Sequence, residues 1–280
     1  MKAADTPLVS VIMGVFYRKS DTALLERSVR SILDQTYGNF EFLICDDGSS
    51  RESMALLEQF AEKDGRIRLV RGIEATDLSS KLNACLRLVR GMYVARMDDD
   101  DWSKPDRFEK QLQALEDHSD IAFAGSNVAL CRDGKECGER LFPVFPQVKD
   151  FYMTQPFIHP SLMFRKEALD SVGGYSEDKR QVLCEDYDLL LRLYTKGFCG
   201  MNLQENLLKY SIPVTTKGNR KMCHRWNEAV TRYHRFRDLG VLPKAIPYVV
   251  KPLAVGLLPP GILNRLKLQH EKRRSDGSAA

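Results

Sequence analysis

From Leu8 to Met97 short apolar runs alternate with amphipathic stretches, and no other feature of the chain limits its fold as much. Leu8 to Phe16 (LVSVIMGVF) and Phe40 to Cys45 (FEFLIC) are apolar, rich in β-branched residues and short, which predicts buried strands. Between them, Asp21 to Gln35 places Leu24, Leu25, Val29, Ile32 and Leu33 on one helical face. Ser49 and Glu52 have capping-box spacing and predict the start of the next helix. Arg66 to Val70 is a third strand, Leu78 to Val89 a third helix, and Met92 to Met97 a fourth strand. Ser103, Pro105 and Asp106 are helix-opening residues ahead of Phe108 to Leu115. Strand–helix alternation of this kind implies right-handed crossovers and a doubly wound, mostly parallel α/β sheet. Ligands of such sheets bind at the carboxyl ends of the strands.

Two acidic clusters fall at such ends. Asp46-Asp47 follows the second strand, and Asp98-Asp99-Asp100-Asp101 follows the fourth. Four adjacent carboxylates repel one another, so they need a positive partner. Hard divalent cations such as Mg²⁺ and Mn²⁺ take carboxylate and phosphate oxygens and fit the need. The alternative is a solvated acidic turn. The second half of the chain is less regular. It predicts a strand at Ile121–Leu130, irregular structure over Leu141–Phe157 and a short strand at Ser161–Phe164. Helices at Lys166–Ser171 and Glu185–Tyr194 and a strand at Leu207–Ile212 complete it.

Several segments resemble the family 2 glycosyltransferases of GT-A (Rossmann-like) fold. They are VSVIMGVF, SVRSILDQTYGNFEFLICDDGSS, LNACL, GMYVARMDDDDWSKPDRFEKQL, HPSLMFR, GGY and EDYDLLLRL, in the family's order. The resemblance covers residues 8 to 212. It implies a catalytic domain at 1–212, with a nucleotide-sugar-binding half (1–117) and an acceptor-binding half (118–212). It implies a metal-dependent, inverting hexosyltransferase that moves a sugar from a nucleoside-diphosphate sugar, a UDP-sugar first, to an acceptor hydroxyl. The acceptor would be a glycan or lipid-linked glycan in cell-surface polysaccharide or glycoconjugate synthesis.

Carried over residue by residue, the pattern Arg-Met-Asp-x-Asp-Asp makes Asp98 and Asp100 the ligands of Mn²⁺ or Mg²⁺. Asp98 and Asp99 then lie against the nucleotide sugar. Asp101, Trp102 and His159 fall on the acceptor side. Asp46 is the first expectation for the base contact and Asp47 the second, with helix capping as the alternative for either. Val15 and Tyr17 border the base, in a turn that lacks the family's proline and asparagine. Lys81 and Asn83 lie near the nucleotide or on a helix surface. Asp186 is the expected general base and Glu185 its positioning neighbour, against capping of the following helix.

After Ile212 the resemblance fades and the charge changes. Of the net charge of +4, residues 217–280 carry +10 and the rest of the chain −6. Trp226, Val230 and Tyr233 share one helical face among basic residues. Residues 213–280 therefore read as a basic, helical appendage. It either packs on the catalytic domain or touches an anionic membrane through 217–274. No nucleic-acid reader motif accompanies it, and nucleic acid is not an expected partner. The seven cysteines form no Cys-x-x-Cys pair and read as reduced. The N-terminus has no basic-then-apolar leader, so a cytoplasmic protein is expected, peripheral at most to the inner face of a membrane. Two other functions compete. A sugar-nucleotide nucleotidyltransferase would want a glycine-rich loop after the first strand, and Gly14 to Lys19 holds one glycine. A catalytically inactive glycan-binding relative would tolerate the altered turn.

Overall fold

The computed structural model describes residues 6–17, 21–71, 77–212 and 221–257. Its first half follows the predicted alternation. Strands β1 (Val9–Val15), β2 (Phe40–Asp46), β3 (Ile67–Val70) and β4 (Tyr93–Arg96) are interleaved with helices α1 (Ala23–Leu33), α2 (Arg51–Lys63) and α3 (Leu78–Leu86). β1 pairs in parallel with β2 and β4, and β2 in parallel with β3. Then come β5 (Trp102–Ser103), α4 (Arg107–Asp117), β6 (Ile121–Arg132) and β7 (Lys135–Arg140). β8 (Met163–Arg165), α5 (Lys166–Ser171), α6 (Glu185–Thr195) and β9 (Cys199–Ser211) finish the sheet and its layers.

The nine strands form one sheet in the order β3-β2-β1-β4-β8-β6-β9-β5, with β7 on β6. The short β8 is antiparallel to both β4 and β6, so it is the seam between the two halves. β6 and β9 run parallel.

The sheet is apolar on both faces because helices cover both. On one side Val9, Val11, Met13 and Val15 of β1 meet Leu25, Val29 and Ile32 of α1 and Phe108 and Leu112 of α4. On the other side Ile12, Leu43 and Val94 meet Leu82 and Cys85 of α3 and Leu189 and Leu193 of α6. Burial rather than capping holds α1. Thr22 makes no side-chain cap bond, a feature worth about 1 kcal/mol, whereas three fully buried aliphatic side chains contribute about 2 kcal/mol each.

The start of α2 differs from expectation. Ser50, not Ser49, is the N-cap, and its hydroxyl accepts from the Ser53 amide at 3.2 Å. Ser49 Oγ instead accepts from the Tyr17 amide at 2.8 Å and ties the exit of β1 to the exit of β2.

Two further helices, α7 (Met222–Asp238) and α8 (Leu242–Leu257), form a hairpin packed on the α6 face. Phe236 and Ala245 join the core cluster of that face, and Arg235 reaches Asp188 of α6 at 2.7 Å. Of the two readings of the basic appendage, packing on the catalytic body therefore holds for one face of the hairpin. Residues 217–220 and 258–274 of the expected membrane contact lie outside the described residues, as do Arg18 and Lys19 of the β1 loop.

Candidate active site

The loops that leave β1, β2 and β4 meet at one edge of the sheet. A cleft of about 280 Å³ opens there, lined among others by Phe16, Asp47, Leu78, Lys81, Leu183 and Glu185. Phe16 is the first residue past β1. It is 47% exposed, while its neighbours Val15 and Tyr17 turn inward. Val15 contributes its carbonyl, which accepts from Lys81 Nζ at 3.0 Å, and Tyr17 packs in the core. The aromatic face offered to the cleft is thus Phe16, with Lys81 Nζ 5.1 Å from its ring centre. The sequence pointed to the flanking residues and missed Phe16, although strand alternation puts the residue between two inward side chains outside.

The two aspartates at the end of β2, Asp46 its last residue and Asp47 the next, have different work. Asp46 folds back on its own turn, its carboxylate accepting from the amides of Gly48 at 3.0 Å and Ser49 at 3.3 Å. Asp47 points into the cleft and pairs with Lys81 at 3.0 Å. Lys81 is buried in α3, not on a helix surface. Asn83 holds the turn at Tyr175, donating to the Tyr175 carbonyl at 2.8 Å and accepting from the Tyr175 amide at 2.9 Å.

The acidic run occupies the loop between β4 and β5. Asp98, Asp100 and Asp101 each offer a carboxylate oxygen within 4.8 Å of the others. The loop is pinned from behind. Ser28 Oγ donates to the Asp98 carbonyl at 2.6 Å, and Arg27 donates to the Asp100 carbonyl at 2.9 Å. Ser211 of β9 donates its amide to Asp101 Oδ1 at 2.7 Å. Asp99 turns the other way, and its Oδ2 accepts from the Phe16 amide at 3.3 Å.

Asp101 is fully buried, and its second oxygen, Oδ2, has no hydrogen-bond partner among the described residues. Burial, then the charges of Asp98 and Asp100, push its carboxyl well above the usual range. Burial and the Asp98 and Asp99 charges push Asp100 up to about 6. Three clustered carboxylates, one of which keeps a buried oxygen without a hydrogen-bond partner among the described residues, are a donor set that a hard divalent cation fits.

A resident cation already lies beneath the run. Arg96, 1% exposed, pairs with Asp98. Burial works against its charge, and the neighbouring Asp98 outweighs that penalty and keeps it cationic. One signal for Arg96 was present in the sequence: a lone arginine in the apolar run MYVARM, two residues before four aspartates.

The opposite wall comes from the start of α6. Glu185 lines the cleft, and burial followed by the Asp186 charge pushes its carboxyl up to about 7. Asp186 Oδ2 accepts from Gln155 at 3.0 Å. Leu183, two residues before Glu185, holds a left-handed φ of 67°, which costs a leucine about 1–2 kcal/mol. Strain of this size at a cleft wall persists where the surroundings over-determine the backbone. His159 is buried, and its Nε2 lies 2.7 Å from the Tyr175 hydroxyl. Burial and the Arg96 charge keep it neutral. Trp102 is half-buried on β5, and Lys209 of β9 covers its ring at 4.9 Å.

The comparisons with known proteins agree with this architecture. The model of glycosyl transferase family 2 matches residues 10–173. EpsE of Bacillus subtilis (strain 168), which carries a glycosyltransferase name, is 34% identical over 268 residues, 95% of this chain and 94% of its own. The amylovoran biosynthesis glycosyltransferase AmsE of Erwinia amylovora is 31% identical over 204 residues, 72% of this chain and 75% of its own. Among solved structures, S. aureus TarS 1–349 in complex with UDP-GlcNAc superposes with a TM-score of 0.67 at 13% identity. That match covers 87% of this chain and 72% of TarS 1–349. The mannosyltransferase PcManGT of Pyrobaculum calidifontis, in complex with GDP-Man and Mn²⁺, gives 0.59 at 19% identity, over 94% and 80%. With the GT-A architecture and a family match over more than half its length, the chain belongs to glycosyl transferase family 2.

Proposed function

We propose that the protein is an inverting, metal-dependent hexosyltransferase of polysaccharide or glycoconjugate synthesis. Its donor is a nucleoside-diphosphate sugar, a UDP-sugar first, and its acceptor a glycan or lipid-linked glycan. The observation that carries this reading is the set of Asp98, Asp100 and Asp101 oxygens within 4.8 Å of one another, beside the cleft that holds Phe16, Asp47 and Glu185. The ligands named for TarS (UDP-GlcNAc) and PcManGT (GDP-Man and Mn²⁺) support it, as does the biosynthetic name of AmsE.

The division of labour follows from placement. Phe16 offers a flat apolar face for a base, and Asp47 an acceptor for a base N–H. Asp46, spent on its own turn, holds that loop in shape. Asp98, Asp100 and Asp101 would hold Mn²⁺ or Mg²⁺, and Asp99 fixes the Phe16 loop against them. A bound cation supplies neutralisation of the charge that the departing diphosphate develops. Asp186 takes the proton of the acceptor hydroxyl as that oxygen bonds to the anomeric carbon. The bond from that carbon to the diphosphate oxygen breaks, and its electron pair leaves with the diphosphate. One displacement from the opposite face inverts the configuration. Glu185 positions Asp186, and Trp102 and His159 stand on the acceptor side.

The exposed thiols of Cys137, Cys199 and Cys223 suit a reducing cytoplasm. The basic region 217–274 suits peripheral contact with the inner face of a membrane. A thermal-shift screen of UDP-, GDP- and TDP-sugars with and without Mn²⁺ tests the donor reading. One nucleoside diphosphate series should raise the Tm only with the metal present, and Asp186→Asn should keep that shift while abolishing transfer. A chain that binds no nucleotide sugar, or an Asp186→Asn variant with normal transfer, refutes it.

A further inference from the structure

The α7–α8 hairpin has two unlike faces. Its inner face is tied down: Arg232 donates to the Tyr152 carbonyl at 2.8 Å, and Tyr152 stacks on Tyr248 with ring centres 5.1 Å apart. The two helices pack closely at Gly256, where a Cβ would come within 2.5 Å of Arg225 Cδ. Among the described residues the outer face has no such cover. Met222, Trp226, Val230 and Tyr233 follow one another at helical spacing, as do Ile246, Val250 and Leu257 on α8. Trp226 is 60% exposed, Val250 50% and Leu257 77%. A shallow apolar groove of about 240 Å³ runs between the helices, lined by Trp226, Val230, Tyr233, Val249, Val250 and Leu253.

The charges around this stripe have one sign. Lys221 stands exposed at one end, and Arg237 and Lys244 at the other. The two acidic residues of the hairpin are both held by arginines, Glu228 by Arg232 at 3.0 Å and Asp238 by Arg235 at 2.9 Å and, more loosely, by the 57% exposed side chain of Arg237 at 3.4 Å. Tryptophan and tyrosine with aliphatic neighbours, flanked by cations, match the boundary of a bilayer. There the apolar bodies enter the headgroup layer and the cations meet lipid phosphates. A second copy docked through the same hairpin would bring the same cations to the contact, and both carboxylates among its described residues are already held by arginines.

We propose that the outer face of the α7–α8 hairpin docks the protein on an anionic phospholipid surface. Trp226, Tyr233, Val250 and Leu257 enter the headgroup layer, and Lys221, Arg237 and Lys244 bind the phosphates. The proposal rests on the peripheral-membrane reading above and names the surface responsible.

The test is co-sedimentation of the full chain with vesicles of phosphatidylcholine alone or mixed equally with phosphatidylglycerol, without donor or metal. The wild type should pellet with the anionic vesicles only. The double variant Trp226→Ser/Tyr233→Ser should bind at least about tenfold more weakly, because interfacial binding scales with the apolar area inserted. Arg237→Gln/Lys244→Gln should bind more weakly and with a shallower salt dependence. Each variant's Tm should match the wild type, which separates lost docking from lost folding. If the wild type pellets with neither vesicle, the peripheral reading itself falls. If it pellets and the Trp226/Tyr233 variant pellets equally, that reading survives and this face is the wrong surface. If the wild type ignores vesicles and self-associates until Trp226 and Tyr233 are replaced, the face is a contact between copies and the proposal is overturned.

Discussion

Lys81 Nζ lies 3.0 Å from Asp47 Oδ1 and 3.0 Å from the Val15 carbonyl, so one ammonium ties α3 to the exits of β1 and β2. The pair is buried, with 5% and 9% of the two side chains exposed. Removing one partner of a buried ion pair leaves the other uncompensated and costs about 3–5 kcal/mol. Lys81→Met, which keeps the stem and deletes the charge, should therefore lower the urea midpoint markedly. It should also raise the donor KM more than it lowers kcat, because Asp47 loses its fixed position while Asp186 is untouched. Urea denaturation and donor saturation curves check both. A variant with wild-type stability and donor KM would mean that the pair neither holds the loop nor positions Asp47.

Neutralising Asp100 should separate the metal site from the fold. Asp100→Asn removes repulsion from Asp98 and Asp99 in a partly buried loop. The variant should thus be at least as stable as wild type in chelator. Manganese binding, read by the Tm increase on titration, should weaken by no less than the roughly tenfold that loss of a mere supporting residue costs. An unchanged manganese response would remove Asp100 from the site.

Much of this site was legible in the sequence, and the limits have physical causes. A parallel strand buried on both faces must be a continuous apolar run, so β1, β2 and β4 stood out, and their carboxyl ends located both acidic clusters. β9 did not stand out along its full length, Cys199–Ser211, because Asn202, Gln204, Glu205 and Asn206 break the pattern where its pairing with β6 is irregular. The three-residue β8 is too short to announce its partners, and it is the seam on which the two halves join. Asp46 and Asp47 are adjacent at the end of the same strand, and only the path of the turn sends one to the turn's own amides and the other to the cleft. Ser49 and Ser50 pose the same ambiguity at the start of α2. Side-chain pairings across distant segments, Lys81 with Asp47 or His159 with Tyr175, leave no local pattern at all.

Gly200 gives a prediction about the core. A Cβ there would lie 2.1 Å from Cε2 of Phe123, a fully buried ring that also packs on Phe157 and Phe164. Neither ring nor strand can yield by that much. Gly200→Ala should destabilise the fold by about 3 kcal/mol, at the upper end of overpacking costs. Phe123→Leu should restore part of that loss in the double variant, since it removes the ring the methyl meets. Additive losses in denaturant would mean the two positions do not touch.

Glu185 makes stability depend on pH in a defined direction. Burial, and then the charge of Asp186, raises its carboxyl from 4.5 to about 7 on folding. An acid whose pKa rises on folding binds its proton more tightly in the folded state. It therefore contributes stability that is complete below about 4.5 and is lost as pH rises through about 7. Glutamine carries no such dependence. The Tm of Glu185→Gln relative to wild type should thus be lowest in acid, climb between about pH 4.5 and 7, and level off above. The same substitution should bear on catalysis. Ionised Glu185 sets a second negative charge beside the group that takes the acceptor proton, so wild-type transfer should rise as Glu185 ionises near pH 7. In the glutamine variant that limb should be lost and the plateau rate should fall. Calorimetry across this pH range, paired with transfer rates on the same preparations, reads both effects. A Tm difference that stays flat from pH 5 to 8 would show that Glu185 does not ionise against its surroundings on this wall of the cleft.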